Sequence, residues 1–196
     1  TPYPSSPEIR KRPKLSPAER RAEELFAAQL ERDWDKAVAD YRARFGNQVG
    51  SDDAKRLSAK YRSSQSYRVA NDTALYEPSR TLSREVLRRM LAEPTPPGKQ
   101  RIVALLAGGP GSGKTSSLDD ASRNSAEIIV DSTLSNYTTA KGLVERARDT
   151  GRPVHVVYIH RPIADAVKSA VDRAMDPADG RPVTLLGLAK AHFGAQ

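Results

Sequence analysis

The segment Gly108-Gly-Pro-Gly-Ser-Gly-Lys-Thr115 decides the fold, because it matches the pattern of a phosphate-binding loop. It follows the apolar run Ile102–Ala107 and opens a stretch with helical spacing, Lys114–Ser122. Glycines let the backbone curl into a nest of amide groups, and a helix that starts there adds its positive end. We therefore predict that this segment binds phosphate groups. The alternative, a glycine-rich turn that only packs a strand on a helix, requires neither Lys114 nor Thr115.

The residue types in this loop have distinct expected roles. Lys114 is expected to reach the β- and γ-phosphates of ATP as a compact cation, and the Thr115 hydroxyl to bind Mg²⁺. A side chain at Gly111 or Gly113 would obstruct the phosphates. The predicted nucleotide-binding residues are Gly108, Gly109, Pro110, Gly111, Ser112, Gly113, Lys114 and Thr115.

The chain around the loop predicts an α/β fold. From Arg101 onward, apolar runs alternate with helical segments. The runs are Ile102–Ala107, Glu127–Asp131 and Val154–His160, and the helical segments are Lys114–Ser122, Thr139–Arg148 and Ile163–Met175. Strands separated by helices of this length form a parallel sheet that is buried on both faces. We predict a P-loop NTPase fold with a parallel sheet flanked by helices, with Ser66–Leu75 as a weaker candidate for a fourth strand.

The residues before this pattern predict a helical region. Residues 1–15 carry four prolines and read as a flexible tail, and Ser16-Pro-Ala-Glu19 is a capping box that opens a helix. An apolar stripe at helical spacing continues to Phe45, and further helices are expected over Ser51–Tyr61 and Arg80–Glu93. The predicted division is a tail over 1–15, a helical region over 16–97 and a P-loop domain over 98–196. The short sheet leaves open whether that domain is complete at its carboxyl end.

Composition and charge exclude several classes of function. No apolar run approaches the roughly 20 residues of a membrane span, and the absence of cysteine excludes disulfides and thiolate metal sites. The net charge of +8 favours acidic partners. Because no nucleic-acid module or interleaved aromatic residues accompany this charge, we do not expect nucleic-acid binding. The three histidines lack metal-ligand spacing and are expected to be packing or surface residues.

An acidic residue at the end of the second apolar run separates the classes of P-loop protein. Asp131 would lie at the carboxyl end of a parallel strand, where ligands bind. A motor ATPase would usually follow this Asp with Glu, but Ser132 stands here, and the Asn-Lys-x-Asp motif of GTPases is absent. A small-molecule kinase remains, in which Asp131 deprotonates an acceptor hydroxyl. The alternative is that Asp131 only holds Mg²⁺ through water.

These features resemble the zeta-toxin family over about residues 100–190. The resemblance rests on Gly109–Thr115, the strand that ends in Asp131, and Val154–Pro162 leading into Ala166–Arg173. Zeta toxins are P-loop kinases that typically phosphorylate UDP-N-acetylglucosamine, and related effectors of plant-pathogenic bacteria phosphorylate NAD. The resemblance implies a toxic kinase that uses ATP and Mg²⁺.

The resemblance also implies site residues and partners. It implies catalytic roles for Lys114 and Asp131, and contact of Arg173 and Arg181 with the transferring phosphate. It further implies a nucleotide-type acceptor, an inhibitory antitoxin or chaperone protein, and a location in the cytoplasm or, for an effector, in a host cell. Because Ser132–Thr138 replaces the Arg and His-Pro that typical members carry, the acceptor stays open. The alternative is an ATP-dependent binding module or P-loop ATPase that engages protein or nucleic acid through its basic helical region.

Overall fold

The computed structural model describes residues 7–114, 119–177, 179–180 and 184–194. The chain divides into two compact units. The first comprises Thr1–Gly46 with Gly50–Arg89, and the second comprises Asn47–Val49 with Met90–Gln196. Within the described residues, no helix is both long enough and apolar enough to cross a membrane.

The first unit is built from helices. They are α1 (Pro17–Glu31), α2 (Trp34–Phe45), α3 (Ser51–Lys55), α4 (Ala59–Ser63), α5 (Gln65–Asn71) and α6 (Tyr76–Ala92), whose last three residues belong to the second unit. Their core contains the buried side chains Phe26, Leu30, Tyr41, Tyr61, Leu75 and Leu82. The apolar stripe predicted for the first of these helices therefore faces a core.

Local capping explains where these helices begin. The capping box at Ser16 is present, because its hydroxyl accepts from the Glu19 amide and the Glu19 carboxylate accepts from the Ser16 amide. The prediction of one helix up to Phe45 is wrong. Asp33 adopts an extended backbone and its carboxylate accepts from the Lys36 amide at 2.9 Å, so a second helix starts there.

Two further expectations for this region need correction. The helix predicted over Ser51–Tyr61 is two short helices, because the Ser58 hydroxyl caps α4. The weaker strand candidate Ser66–Leu75 is wrong, since Ser64 caps α5 over most of that stretch. A serine that accepts from the amide three residues later favours a helix over a strand.

The second unit contains a four-stranded parallel sheet in the order β1-β3-β2-β4. Its strands are β1 (Gln48–Val49), β2 (Gln100–Ala107), β3 (Ala126–Asp131) and β4 (Val154–Tyr158), and its helices are α7 (Asp120–Ser125), α8 (Tyr137–Asp149), α9 (Ile163–Met175) and α10 (Leu185–Gly194). The predicted α/β fold with a parallel sheet flanked by helices is confirmed. The helix predicted over Lys114–Ser122 lies in part outside the described residues.

Burial differs between the strands of this sheet. The central strands β2 and β3 carry the core, which includes Ala104, Leu106 and Ile129. In contrast, β4 leaves Val156 at 57% and Tyr158 at 43% exposure. Burial on both faces, expected for all strands, therefore holds for the central pair and not for β4.

A buried ion pair joins β3 to the segments before β2 and β4. The Arg152 guanidinium donates to both carboxylate oxygens of Glu127, at 2.7 and 3.0 Å, and each side chain is 3% exposed. Arg152 also donates to the carbonyl oxygens of Leu91 and Glu93, and Thr95 donates to Glu127. The charges are thus paired and hydrogen-bonded on several sides, as buried charges must be.

Replacing Arg152 should test this network. Arg152→Met would leave the Glu127 carboxylate buried without its cation, so we expect a loss of about 3–5 kcal/mol in the free energy of unfolding. Urea unfolding followed by circular dichroism measures it. The control Arg148→Met removes an exposed arginine nearby and should change the free energy by less than about 0.5 kcal/mol. Similar losses in both variants would contradict the role of the pair.

Candidate active site

The loop after β2 has the backbone of a phosphate-binding nest. The φ angles of Gly108, Gly111 and Gly113 are 140°, 76° and 88°, values that residues with a Cβ atom rarely adopt. The Ser112 amide donates to the Gly109 carbonyl at 3.2 Å and closes a turn inside the loop. A run of this kind directs backbone amides toward one concave side, where an anion can bind.

The loop glycines are also required by close neighbours. A Cβ atom on Gly108 would lie 2.6 Å from the Ile159 carbonyl oxygen, and one on Gly111 would overlap the Ala166 carbonyl oxygen. A Cβ atom on Gly109 would lie 3.0 Å from the Cα atom of His192. The loop therefore lies against the segment after β4, the first turn of α9 and the end of α10.

Lys114 and Asp131 meet at the carboxyl ends of β2 and β3. Asp131 ends β3 and is in register with Leu106 of the neighbouring strand. The Lys114 amino group lies 3.9 Å from an oxygen of the Asp131 carboxylate, and it donates to the carbonyl oxygens of Gly108 and Gly109 at 2.9 and 3.3 Å. The structure thus places a cation and a carboxylate side by side at the loop.

The connection from β3 to α8 is hydrogen-bonded to the end of β2 and to the loop. The Ser132 amide donates to the Leu106 carbonyl at 3.2 Å, and the Gly108 amide donates to the Thr133 carbonyl at 3.4 Å. Leu134 has a φ angle of 49°, a conformation that costs energy for a leucine. This strained turn lies where the sequence departs from typical zeta toxins.

Of the remaining predicted site residues, the structure describes Arg173. Arg173 lies on the last turn of α9, seven residues or about 10 Å along the helix from Ala166. Its Nε atom is buried and lacks a hydrogen-bond partner among the described residues. Thr115 and Arg181 lie outside the described residues.

Arg161 was given no role in the sequence analysis, and Ser112 was predicted only as one of the nucleotide-binding loop residues. Arg161 follows β4 and donates from Nη1 to the Gly111 carbonyl oxygen at 2.9 Å. The Ser112 hydroxyl is buried and lacks a hydrogen-bond partner within the described part of the chain. Arg161 could have been identified from the sequence because it follows the carboxyl end of a predicted strand, where parallel sheets bind ligands.

His192 lies beside the loop, next to Gly109, and His160 lies next to His192. His192 is buried, with its ring centroid 6.2 Å from that of His160 and 5.4 Å from that of Phe193. Among the described residues, no group of three or more His, Cys, Asp or Glu side chains could hold a metal ion.

The arrangement fits a phosphate group better than an uncharged ligand. The loop offers backbone amides, the Lys114 cation and the buried Ser112 hydroxyl, which has no hydrogen-bond partner within the described residues. Together with the parallel sheet, these features define a P-loop NTPase-like fold.

Comparison with known families agrees with this class. Residues 116–196, less than half of the chain, match the zeta toxin family. Over the residues that it covers, the match confirms the resemblance to the zeta-toxin family described above. The matched segment begins directly after Thr115, so the loop is an observation separate from the match. No curated protein matches the chain.

A pair of glycine variants should test the close approach at the loop. Gly111→Ala places a methyl group against the Ala166 carbonyl, whereas Gly98→Ala introduces a similar backbone strain, at a φ angle of 77°, with no atom within 4 Å. For Gly98→Ala we expect the free energy of unfolding to fall by about 1–2 kcal/mol, because of backbone strain alone. For Gly111→Ala the free energy of unfolding should fall by about 1–3 kcal/mol more, because the added methyl group overpacks the contact. An equal decrease in the free energy of unfolding for both variants, measured by urea unfolding, would contradict the close contact between Gly111 and the Ala166 carbonyl.

Proposed function

We propose that this chain is a kinase that transfers the γ-phosphate of ATP to a hydroxyl of a nucleotide-containing small molecule, and that it acts as a toxin or effector. UDP-N-acetylglucosamine and NAD are the proposed acceptors. The observation that carries the proposal is the 3.9 Å approach of the Lys114 amino group to the Asp131 carboxylate at a phosphate-binding loop. Such a site can hold a phosphate chain and activate a hydroxyl beside it.

The loop residues would bind the polyphosphate. Loop amides other than that of Ser112, together with the Lys114 cation, would hold phosphate oxygens, while the Thr115 hydroxyl would be a ligand for Mg²⁺. When bound, Mg²⁺ would neutralise charge on the phosphates.

Asp131 would act as the base. Its carboxylate takes the proton from the acceptor hydroxyl as the acceptor oxygen bonds to the γ-phosphorus. The bond from that phosphorus to the β–γ bridging oxygen breaks, and ADP leaves. A role for Asp131 in holding Mg²⁺ through water remains the alternative for this residue.

Arg173 and Arg181 would stabilise the charge that moves during transfer. A planar guanidinium can contact two phosphate oxygens at once. The buried Nε atom of Arg173, which lacks a partner among the described residues, supports an additional ligand for this side chain. An inhibitory antitoxin or chaperone protein, and action in the cytoplasm or in a host cell, are part of the same proposal.

The charge pattern of the first unit weighs against the rival, a binding module that engages nucleic acid or protein through basic helices. Several of its arginines form ion pairs with carboxylates of the same unit. Arg88 and Arg89 donate to the Glu85 carboxylate, and Arg89 also contacts Asp35 at 2.6 Å. Burial tends to raise the pKa of Glu85, but the hydrogen bonds from the two arginines outweigh it and lower that pKa. Paired charges of this kind do not form an open basic surface.

Product analysis tests the proposed function. The purified chain would be incubated with γ-labelled ATP, Mg²⁺ and either UDP-N-acetylglucosamine or NAD, and the products separated and identified by mass. We expect label in a phosphorylated acceptor and none with Lys114→Ala. ATP turnover that depends on a macromolecule and yields no labelled small molecule would support the rival instead.

The role of Asp131 should be visible in kinetics. Because a general base acts in the transfer step, Asp131→Asn should lower kcat by at least about a hundredfold while the affinity for ATP changes little. Glu145→Gln, an exposed carboxylate on α8, serves as the control and should keep wild-type kinetics. Retained transfer with an altered Mg²⁺ requirement would instead favour the metal-holding role.

A further inference from the structure

The connection between β4 and α9 runs along the phosphate loop. The Ile159 amide donates to the Ala107 carbonyl at 2.9 Å, and the Ile159 carbonyl lies against Gly108. These contacts use backbone atoms, so they do not depend on the side chain at position 159. Arg161 adds a side-chain contact, since its Nη1 atom donates to the Gly111 carbonyl oxygen at 2.9 Å.

We infer that Arg161 is a positioning residue for the phosphate loop, whose guanidinium fixes the peptide between Gly111 and Ser112 in the orientation that phosphate binding requires. The inference rests on the proposed function, because it assigns the loop as a polyphosphate site. It adds a residue that the sequence motif does not contain.

The chemistry of this peptide explains why it needs a partner. Gly111 has a φ angle of 76°, and glycine can exchange this conformation for others at low cost. The carbonyl and amide groups of one planar peptide point in opposite directions, so fixing the Gly111 carbonyl also fixes the Ser112 amide. That amide closes the turn onto Gly109 at 3.2 Å. A flipped peptide would break this turn, so the loop would lose the shape that directs its other amides toward an anion.

The surroundings of Arg161 favour this role over that of a surface arginine. The guanidinium is partly buried, and within the described residues Arg161 forms no ion pair, although Asp165 lies only four residues further along the chain. A hydrogen bond from a charged donor is stronger than one between neutral groups. Among the described residues, the Gly111 carbonyl is therefore the hydrogen-bond partner that orders the Arg161 side chain.

Calorimetric titration tests the inference without an acceptor. Arg161→Met keeps much of the side-chain length and removes the donors, so the Kd values for Mg-ATP and for magnesium tripolyphosphate should each rise about tenfold. The number of binding sites per chain should stay at the wild-type value, because the fold is retained. Arg161→Lys should recover part of the affinity. The control Arg146→Met removes the same charge from an exposed position of α8 and should leave both Kd values unchanged.

The possible failures are distinguishable. Wild-type affinity in Arg161→Met, with binding lost in Lys114→Ala, would overturn the inference and leave the proposed function standing. Wild-type affinity in both variants would show that the loop is not the phosphate-binding site. Fewer binding sites at an unchanged Kd would show that Arg161 supports folding and would also overturn the positioning role.

Discussion

At Gly108 and Gly111, no side chain fits between the phosphate loop and the backbone of Ile159 and Ala166. The Ile159 and Ala166 carbonyl groups occupy the space that a Cβ atom on Gly108 or Gly111 would need. This contact determines the loop residues, because a backbone that lies so close to two carbonyl groups and adopts left-handed conformations has to be glycine. It also couples the loop to β4 and α9, so the shape of the anion site depends on the sheet as a whole.

The order of the strands supplies the second requirement of the site. Because β3 pairs with β2 in parallel, their carboxyl ends lie together and Asp131 falls next to the loop. Lys114 then lies between its own loop carbonyls and that carboxylate. The family match covers Asp131 but begins after the loop, so the motif and the match are independent supports for the same class of protein.

Sequence patterns predicted those parts of the molecule whose signals are local. The loop motif, the strand ending in Asp131 and the bounds of α9 belong to this group, because glycine spacing, apolar runs and helical periodicity are visible in the chain itself. The two-residue strand β1 is too short to show any period, and the break at Asp33 depends on one capping side chain. The contact of Arg161 with the loop joins residues 50 positions apart, so the position of Arg161 emerges only once the sheet is assembled.

The central claim is that the loop binds the phosphates of ATP through Lys114. A calorimetric titration of Mg-ATP into the wild-type chain and into Lys114→Ala tests it most directly, with Lys141→Ala as a control for the loss of an exposed lysine. Since Lys114 would contact the phosphates as a partly buried cation, we predict an affinity at least about tenfold weaker in Lys114→Ala and unchanged in Lys141→Ala. Equal affinity of the wild-type chain and Lys114→Ala for Mg-ATP would contradict the account.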